Sequence, residues 1–185
     1  WSYALQGVPW DRNRIREVVI EEGVTSIGDS AFHSCANLTS VQIADSVASI
    51  GSNAFFASGL TSVRIPNTVR ETGSYAFANC AALTSVEGVD VGGGKEGVAF
   101  ADGVFSGCRS LARVSIPEGM TEFSGSHMFR GCAALTAVAL PRSLTKLSAA
   151  LFSDCAALRD LYFAGSVLPE LDRFIMDNLH RGVTR

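Results

Sequence analysis

A short segment of alternating apolar and polar residues recurs along the chain. Its clearest copy runs from Leu38 to Ile43 and reads Leu-Thr-Ser-Val-Gln-Ile. Related segments start at Ile15, Leu38, Leu60, Leu83, Leu111, Leu135 and Leu158, so consecutive starts lie 22 to 28 residues apart. Alternation with period two predicts short strands, and a repeat interval of this size predicts similar coils stacked into a solenoid.

A second landmark keeps the same interval. Each of six coils carries a phenylalanine between two strand segments: Phe32, Phe55, Phe77, Phe105, Phe129 and Phe152. Three residues later stands a cysteine, or a serine in one coil: Cys35, Ser58, Cys80, Cys108, Cys132 and Cys155. Because a single coil cannot bury its own apolar side, we expect these side chains to stack on their equivalents in neighbouring coils.

The pattern predicts a parallel sheet along one side of about seven coils, built mostly of short strands and turns. Strands about 4.8 Å apart would give a stack roughly 30 Å long. Pro66, Pro117 and Pro141 are expected to end strands, since proline cannot donate to a ladder. We predict an entry or capping segment at 1–14, repeats at 15–163 and a closing segment at 164–185.

Composition and charge restrict the classes of partner. Hydrophobic residues make up 47% of the 185 residues, charged residues 18%, and the mean hydropathy is +0.23. The net charge of −3 gives no reason to expect nucleic acid, which usually requires a basic face. No run of 18 apolar residues is present, so we expect no membrane insertion. A basic start followed by an apolar stretch is also missing, so no signal peptide is visible.

The five cysteines occupy one position of the repeat, and this placement disfavours a metal site. Metal ligands converge on a point, whereas these residues form a line across the coils. Disulfides between neighbouring coils would leave one cysteine over. We therefore interpret the set as a ladder of buried thiols, each acting as a small hydrophobe, and expect no metal and no cofactor.

Catalytic motifs are weak. The glycine-rich stretch from Gly92 to Gly97 differs from a P-loop, because Val89 and Glu96 occupy positions that require glycine and Ser or Thr. We predict instead a flexible excursion from the fourth coil and a candidate binding loop comprising Gly92, Gly93, Gly94, Lys95 and Glu96. The histidines His33, His127 and His180 suggest no catalytic triad, so no enzyme is expected.

The outward face of the sheet is the main candidate binding surface. The alternation points Gln42, Arg64, Glu87, Arg113, Ser115 and Tyr162 away from the core. Arginine and tyrosine are favoured interface anchors, and solenoids often bind through an extended face. The competing interpretation is that Arg64 and Glu87, on adjacent coils, merely pair on the surface.

The repeat resembles a known family. Its pattern, Leu-x-x-Val-x-Ile-Pro-x-x-Val-x-x-Ile-Gly-x-x-Ala-Phe-x-x-Cys, is similar to the BspA-like (Treponema pallidum type) leucine-rich repeat over residues 15 to about 163. Pro9-Trp10 resembles the entry segment of such domains. The resemblance implies an α/β-type leucine-rich-repeat solenoid wound as a curved right-handed superhelix. It also implies a non-enzymatic protein- or glycan-binding adhesion module, extracellular or on the cell surface. The alternative is a structural spacer or assembly subunit of a larger protein.

Overall fold

The computed structural model describes residues 9–87, 99–116, 125–147, 149–163 and 170–171. Its strands, in chain order, are β1 (Glu17–Ile20), β2 (Ser26–Ile27), β3 (Ser40–Ile43), β4 (Ser49–Ile50), β5 (Ser62–Arg64), β6 (Glu71–Thr72), β7 (Ser85–Glu87), β8 (Ala99–Phe100), β9 (Arg113–Ser115), β10 (Ala137–Leu140), β11 (Lys146–Leu147), β12 (Asp160–Phe163) and β13 (Glu170–Leu171). A 3₁₀ helix spans Ala149–Phe152.

Two sets of parallel strands run along the stack. The front sheet comprises β1, β3, β5, β7, β9, β10 and β12, which are the strands predicted from the alternation. Within it β1 pairs with β3, β5 with β7, and β10 with both β9 and β12, while β3 lies beside β5 and β7 beside β9. The second sheet has the order β2-β4-β6-β8, and β11 pairs with β13 further along. Each pairing joins residues about one repeat apart, so every strand lies beside its equivalent in the next coil.

The molecule is a parallel-strand solenoid of about five turns with little helix. The predicted strand ends are confirmed at Pro141, which follows β10, and at Pro66, two residues after β5. Pro117 lies outside the described residues. The predicted α/β class implies more helix than the structure has, because the described connections between strands are mostly turns and two-residue strands. Seven coils and right-handed winding remain predictions, as do the three segment boundaries.

The phenylalanines form a continuous stack through the core. Neighbouring rings from Phe32 to Phe152 have centroids 5.1 to 5.8 Å apart and are nearly parallel. The stack begins one ring earlier than the repeat predicted, with Trp10. The centroid of the Trp10 indole lies 5.2 Å from that of the Phe32 ring. The Trp10 indole N–H also donates to the Ala31 carbonyl, at 3.1 Å. Trp10 therefore covers the first ring of the stack.

Turns around each phenylalanine join the coils by backbone hydrogen bonds. In the second coil Asn53, Phe55 and Ala57 donate their N–H groups to carbonyls of the third coil, at 2.7 to 2.9 Å. Asn53 and Ala57 have φ values of 55° and 53°, in the left-handed region. The same two positions, two residues before and after phenylalanine, are left-handed in other coils, and such residues cannot continue a helix.

The thiols form the ladder that the sequence predicted. All five cysteines are free; Cys35, Cys80, Cys108 and Cys132 are buried, and Cys155 is partly buried. The four thiols after Cys35 each donate to the phenylalanine carbonyl of an earlier coil, as in Cys132 to Phe105 at 3.3 Å and Cys155 to Phe129 at 3.0 Å. Ser58 takes the place of a thiol, and its hydroxyl lies 3.2 Å from Cys80 Sγ. These bonds explain why this position needs a small side chain that can donate.

Candidate binding surfaces

One row of outward side chains crosses the front sheet, and we call it the front row. The strand registers align Val19 with Gln42, Arg64 with Glu87, and Ser115 with Ala139 and Tyr162. With strands about 4.8 Å apart, the row is roughly 29 Å long. Its two ends carry large apolar side chains, since Val19 and Tyr162 are each 54% exposed.

The predicted front-face residues mostly lie together. Gln42, Arg64, Glu87 and Tyr162 are exposed members of the front row, whereas exposed Arg113 lies in the parallel row with Ala137 and Asp160. Position 115 lies in the front row by its strand register. The candidate loop Gly92, Gly93, Gly94, Lys95 and Glu96 falls outside the described residues. That these residues bind a partner stays a prediction.

Arg64 forms an ion pair with Asp45 rather than with Glu87, the partner that the sequence suggested. Its guanidinium lies 3.6 Å from the Asp45 carboxylate, with the two side chains 61% and 65% exposed. Asp45 belongs to the turn after β3, so the pair links adjacent coils beside the front row. Such exposed pairs contribute about 0–1 kcal/mol and leave both groups able to contact a partner.

Threonine hydroxyls fasten the edge of the front sheet. Thr39, Thr61 and Thr84 each donate to a backbone carbonyl of the preceding coil, at 3.0 to 3.3 Å. All three are exposed and precede a front strand. Because their hydroxyls hydrogen-bond to the backbone, they help to hold the front row at a fixed spacing.

A groove with a mixed polar and apolar lining lies along the second sheet, and the sequence pattern did not predict it. It encloses about 690 Å³ and crosses several coils. Its lining combines hydroxyls, carboxylates, glycine backbone and apolar side chains, from Ser26, Ile27, Gly28, Asp29, Ser49, Ile50, Gly51, Ser52, Glu71, Thr72, Gly73, Ser74, Ala101, Asp102 and Gly125. The available signal is the Gly-Asp or Gly-Ser pair that recurs at Gly28-Asp29, Gly51-Ser52 and Gly73-Ser74.

The carboxylates of this groove are engaged by the neighbouring coil. Asp29 Oδ1 accepts the Ser52 backbone N–H at 2.7 Å. Asp102 Oδ1 accepts both the backbone N–H and the hydroxyl of Ser126, at 2.7 and 2.8 Å. These bonds hold the pKa of the Asp102 carboxyl below its usual range. The two carboxylates therefore join coils.

The ladder thiols have the chemistry of a closed core. Burial raises the pKa of Cys132 to about 12 and that of Cys155 to about 11, so both remain protonated near neutral pH. Among the described residues, no group of three or more His, Cys, Asp or Glu side chains is placed to hold a metal ion. A thiolate nucleophile is thus disfavoured at Cys132 and Cys155.

His33 forms a surface cluster that the sequence did not reveal. Its ring stacks on Phe56 with centroids 4.9 Å apart, and the Ser34 hydroxyl lies 2.8 Å from His33 Nδ1. Burial lowers the pKa of His33, with a further contribution from the charge of Arg12. Ser34 and His33 are adjacent in sequence and the serine is exposed. The described contacts place no carboxylate on the imidazole to orient it, as a Ser-His-Asp arrangement requires.

The described part of the chain contains no helix long and apolar enough to cross a bilayer.

The repeat family is shown by comparison with known proteins. A model of the BspA type leucine-rich repeat region matches residues 10–89 and 98–174, in six copies. The chain therefore belongs to the BspA-type leucine-rich repeat family, as the sequence pattern indicated. Members of this family are typically non-enzymatic repeat proteins.

A solved structure from T. pallidum supports the same class. A leucine-rich repeat protein of T. pallidum is 32% identical, with a TM-score of 0.71 over 84% of this chain and 71% of that one. A leucine-rich cell surface protein of Faecalibacterium prausnitzii is 24% identical, with a TM-score of 0.45 over 83% of this chain. The match spans 61% of the Faecalibacterium chain. Among curated proteins, none matches the sequence.

Proposed function

We propose that the chain is a non-enzymatic binding module of a cell-surface or secreted protein, and that its front sheet contacts a protein or glycan. Membership of a repeat family that often occurs in cell-surface proteins supports this location. The fold contributes a rigid scaffold, since stacked rings, thiols and backbone bonds fix the spacing of the coils. We further propose seven coils wound right-handed, with the Gly92–Glu96 loop adding to the contact.

The observation that carries this proposal is the arrangement of the front row. It presents polar and charged side chains at regular spacing, with exposed Val19 and Tyr162 at its ends. Interfaces favour Tyr and Arg as anchors, and both types are exposed on this face. Because the side chains point away from a packed core, they can be changed to suit a partner without altering the fold.

Reversing the two front-face arginines is expected to abolish most partner binding while leaving stability unchanged. The test measures binding of the intact chain to immobilised fibronectin, fibrinogen and collagen and to a glycan array. In a chain carrying Arg64→Glu and Arg113→Glu, affinity for the probe that binds should fall at least tenfold, because anchors are replaced by opposite charges.

The matched control is the double variant Arg70→Glu and Arg109→Glu, which changes net charge equally at exposed positions outside the front row. It should bind like the unmodified chain, and both variants should melt at the original temperature. No binding to any probe, or an equal loss in both variants, contradicts the role of the front sheet.

The alternative role as a spacer has less support at the N-terminal end. A spacer built by stacking chains end to end would continue the phenylalanine stack into the next molecule. Trp10 already lies over Phe32 at that end, so the first ring has its neighbour within the same chain.

A further inference from the structure

Opposite charges alternate across the middle of the front sheet. Arg64 on β5 and Glu87 on β7 are aligned in the strand register, so they occupy the same row on adjacent strands. Both side chains are exposed. Across β1, β3, β5, β7, β9 and β10, the other charged outward residues are Glu17 and Arg113. The face thus carries two charges of each sign, and these cancel.

The two central charges, Arg64 and Glu87, do not form an ion pair with each other in the described part of the chain. Among the residues that the structure describes, Arg64 pairs with the exposed Asp45, at 3.6 Å, and such a pair has little stabilising effect. Glu87 forms no ion pair within the described part of the chain. Glu87 is aligned with Arg64 in the strand register, but the Arg64 guanidinium pairs with Asp45 instead. Both central charges are therefore available to a surface that offers the complementary pattern.

A second copy of this chain offers that pattern, and we propose that the front sheet self-associates as a symmetric, face-to-face dimer. The two-fold axis runs parallel to the strands and passes between β5 and β7. This operation places Arg64 of each copy opposite Glu87 of the other, giving two reciprocal ion pairs at the centre. An isologous contact of this kind uses the same patch on both copies.

The charges select this axis over its neighbours. An axis through β5 would place Arg64 on Arg64 of the second copy, and an axis through β7 would place Glu87 on Glu87, both of which are repulsive. With the axis between them, β1 faces β10 of the second copy. Glu17 then faces Ala137 of the second copy, and the Arg113 position lies one strand to the side, offset by roughly 4.8 Å in addition to the separation of the two sheets, so opposite signs are again neighbours.

The remaining front-row residues are compatible with close approach. Val19, 54% exposed, faces Ala139 of the second copy, which removes an apolar side chain from water. The serine and alanine positions of the paired strands are small, as sheets packing about 10 Å apart require. β12, with Tyr162, extends beyond the paired strands and stays free for a different partner.

The expected association is weak. The six paired strands form a face about 24 Å long and two outward residues wide, which covers roughly 250 Å² per copy, against about 800 Å² per partner in a standard interface. We therefore expect a dissociation constant above about 10 µM, which many copies on a surface would compensate through multivalency. Because the central contacts are ionic and partly exposed, added salt should weaken the dimer.

The test is sedimentation equilibrium of the intact chain from about 10 µM to about 1 mM, the range in which such a weak dimer forms. Arg64→Glu and Glu87→Arg should each raise the dissociation constant at least tenfold, because each creates two like-charge contacts in the symmetric interface. The double variant Arg64→Glu with Glu87→Arg should restore it to within about threefold of the original value, since the pairs are re-formed with exchanged signs.

Two controls separate position from net charge. Arg70→Glu and Glu71→Arg make the same changes at exposed sites away from the front sheet, and both should leave the dimer unchanged. Thermal melts of all variants establish that each is folded. A chain that stays monomeric throughout, or single variants whose defects the double variant does not reverse, overturns this dimer.

This inference rests on the front sheet being a contact surface, yet the two can fail separately. A monomeric chain whose binding to a matrix protein or glycan still falls with Arg64→Glu and Arg113→Glu retains the proposed function and loses the dimer. A dimer that responds to the charge exchange while no probe binds retains the dimer alone.

Discussion

Replacing Phe77 by alanine is expected to lower the free energy of unfolding by about 3–5 kcal/mol. The Phe77 side chain is fully buried, and its ring lies 5.1 Å from Phe55 and 5.6 Å from Phe105 by centroid. The substitution removes apolar contacts on both sides and leaves a cavity that neighbouring coils cannot collapse into, because their backbones are joined by hydrogen bonds. Urea unfolding followed by circular dichroism measures the change.

The matched control for this effect is Gln42→Ala, an exposed residue of a similar central coil. Its free energy of unfolding should differ from that of the original chain by less than about 0.5 kcal/mol. Equal losses in the two variants would show that the inward and outward registers have been assigned wrongly.

The second large effect is expected at Gly73, where alanine should cost about 3 kcal/mol. A Cβ built at this position would lie 2.3 Å from the Ser52 nitrogen and 2.7 Å from the Gly51 carbonyl carbon. Both atoms belong to the backbone of the preceding coil, whose own bonds prevent it from moving aside. Relief therefore requires separating two coils.

Ser74→Ala is the control for Gly73→Ala, since it changes the adjacent groove residue without adding a Cβ. Comparing the urea midpoints of the two variants isolates the effect of the steric clash at position 73. An unfolding free energy for Gly73→Ala within about 0.5 kcal/mol of the original would mean that coils are not in contact at the glycine.

The buried side of the coils was predictable because its apolar residues recur at a nearly constant interval along the sequence. Leu38, Val41 and Phe32 recur at fixed offsets, and only stacked coils explain why each is buried at 8% exposure or less. Trp10 was noticed only through the family resemblance, although it stands 22 residues before Phe32, one repeat interval, and continues the ring stack.

Other features depend on local backbone geometry that a hydrophobic pattern does not encode. The left-handed residues at Asn53 and Ala57 replace helix by tight turns, yet neither is a glycine. The pairing of Ser49–Ile50 within a second sheet depends on the neighbouring coils rather than on these two residues themselves.

The candidate binding surfaces were also predictable only in part from the sequence. The front row was predictable because outward positions follow from alternation, and the strand register aligns Arg64 with Glu87. The Arg64–Asp45 pair was not, since the rotamer of an exposed arginine depends on a turn outside the strand. The groove escaped prediction because its walls, such as Asp29 and Glu71, belong to coils separated in sequence.

In the stacked-coil fold, side chains that point into the stack are closed to solvent, whereas those of the front row are open to it. Native-state labelling with a maleimide, read by mass spectrometry, compares the two directly in the original chain and in Gln42→Cys. We expect Cys35, Cys80, Cys108 and Cys132 to remain unlabelled until urea unfolds the chain, and the new thiol at position 42 to react within minutes. Rapid labelling of the four native thiols in the folded chain, or protection of position 42, would contradict the stacked-coil arrangement.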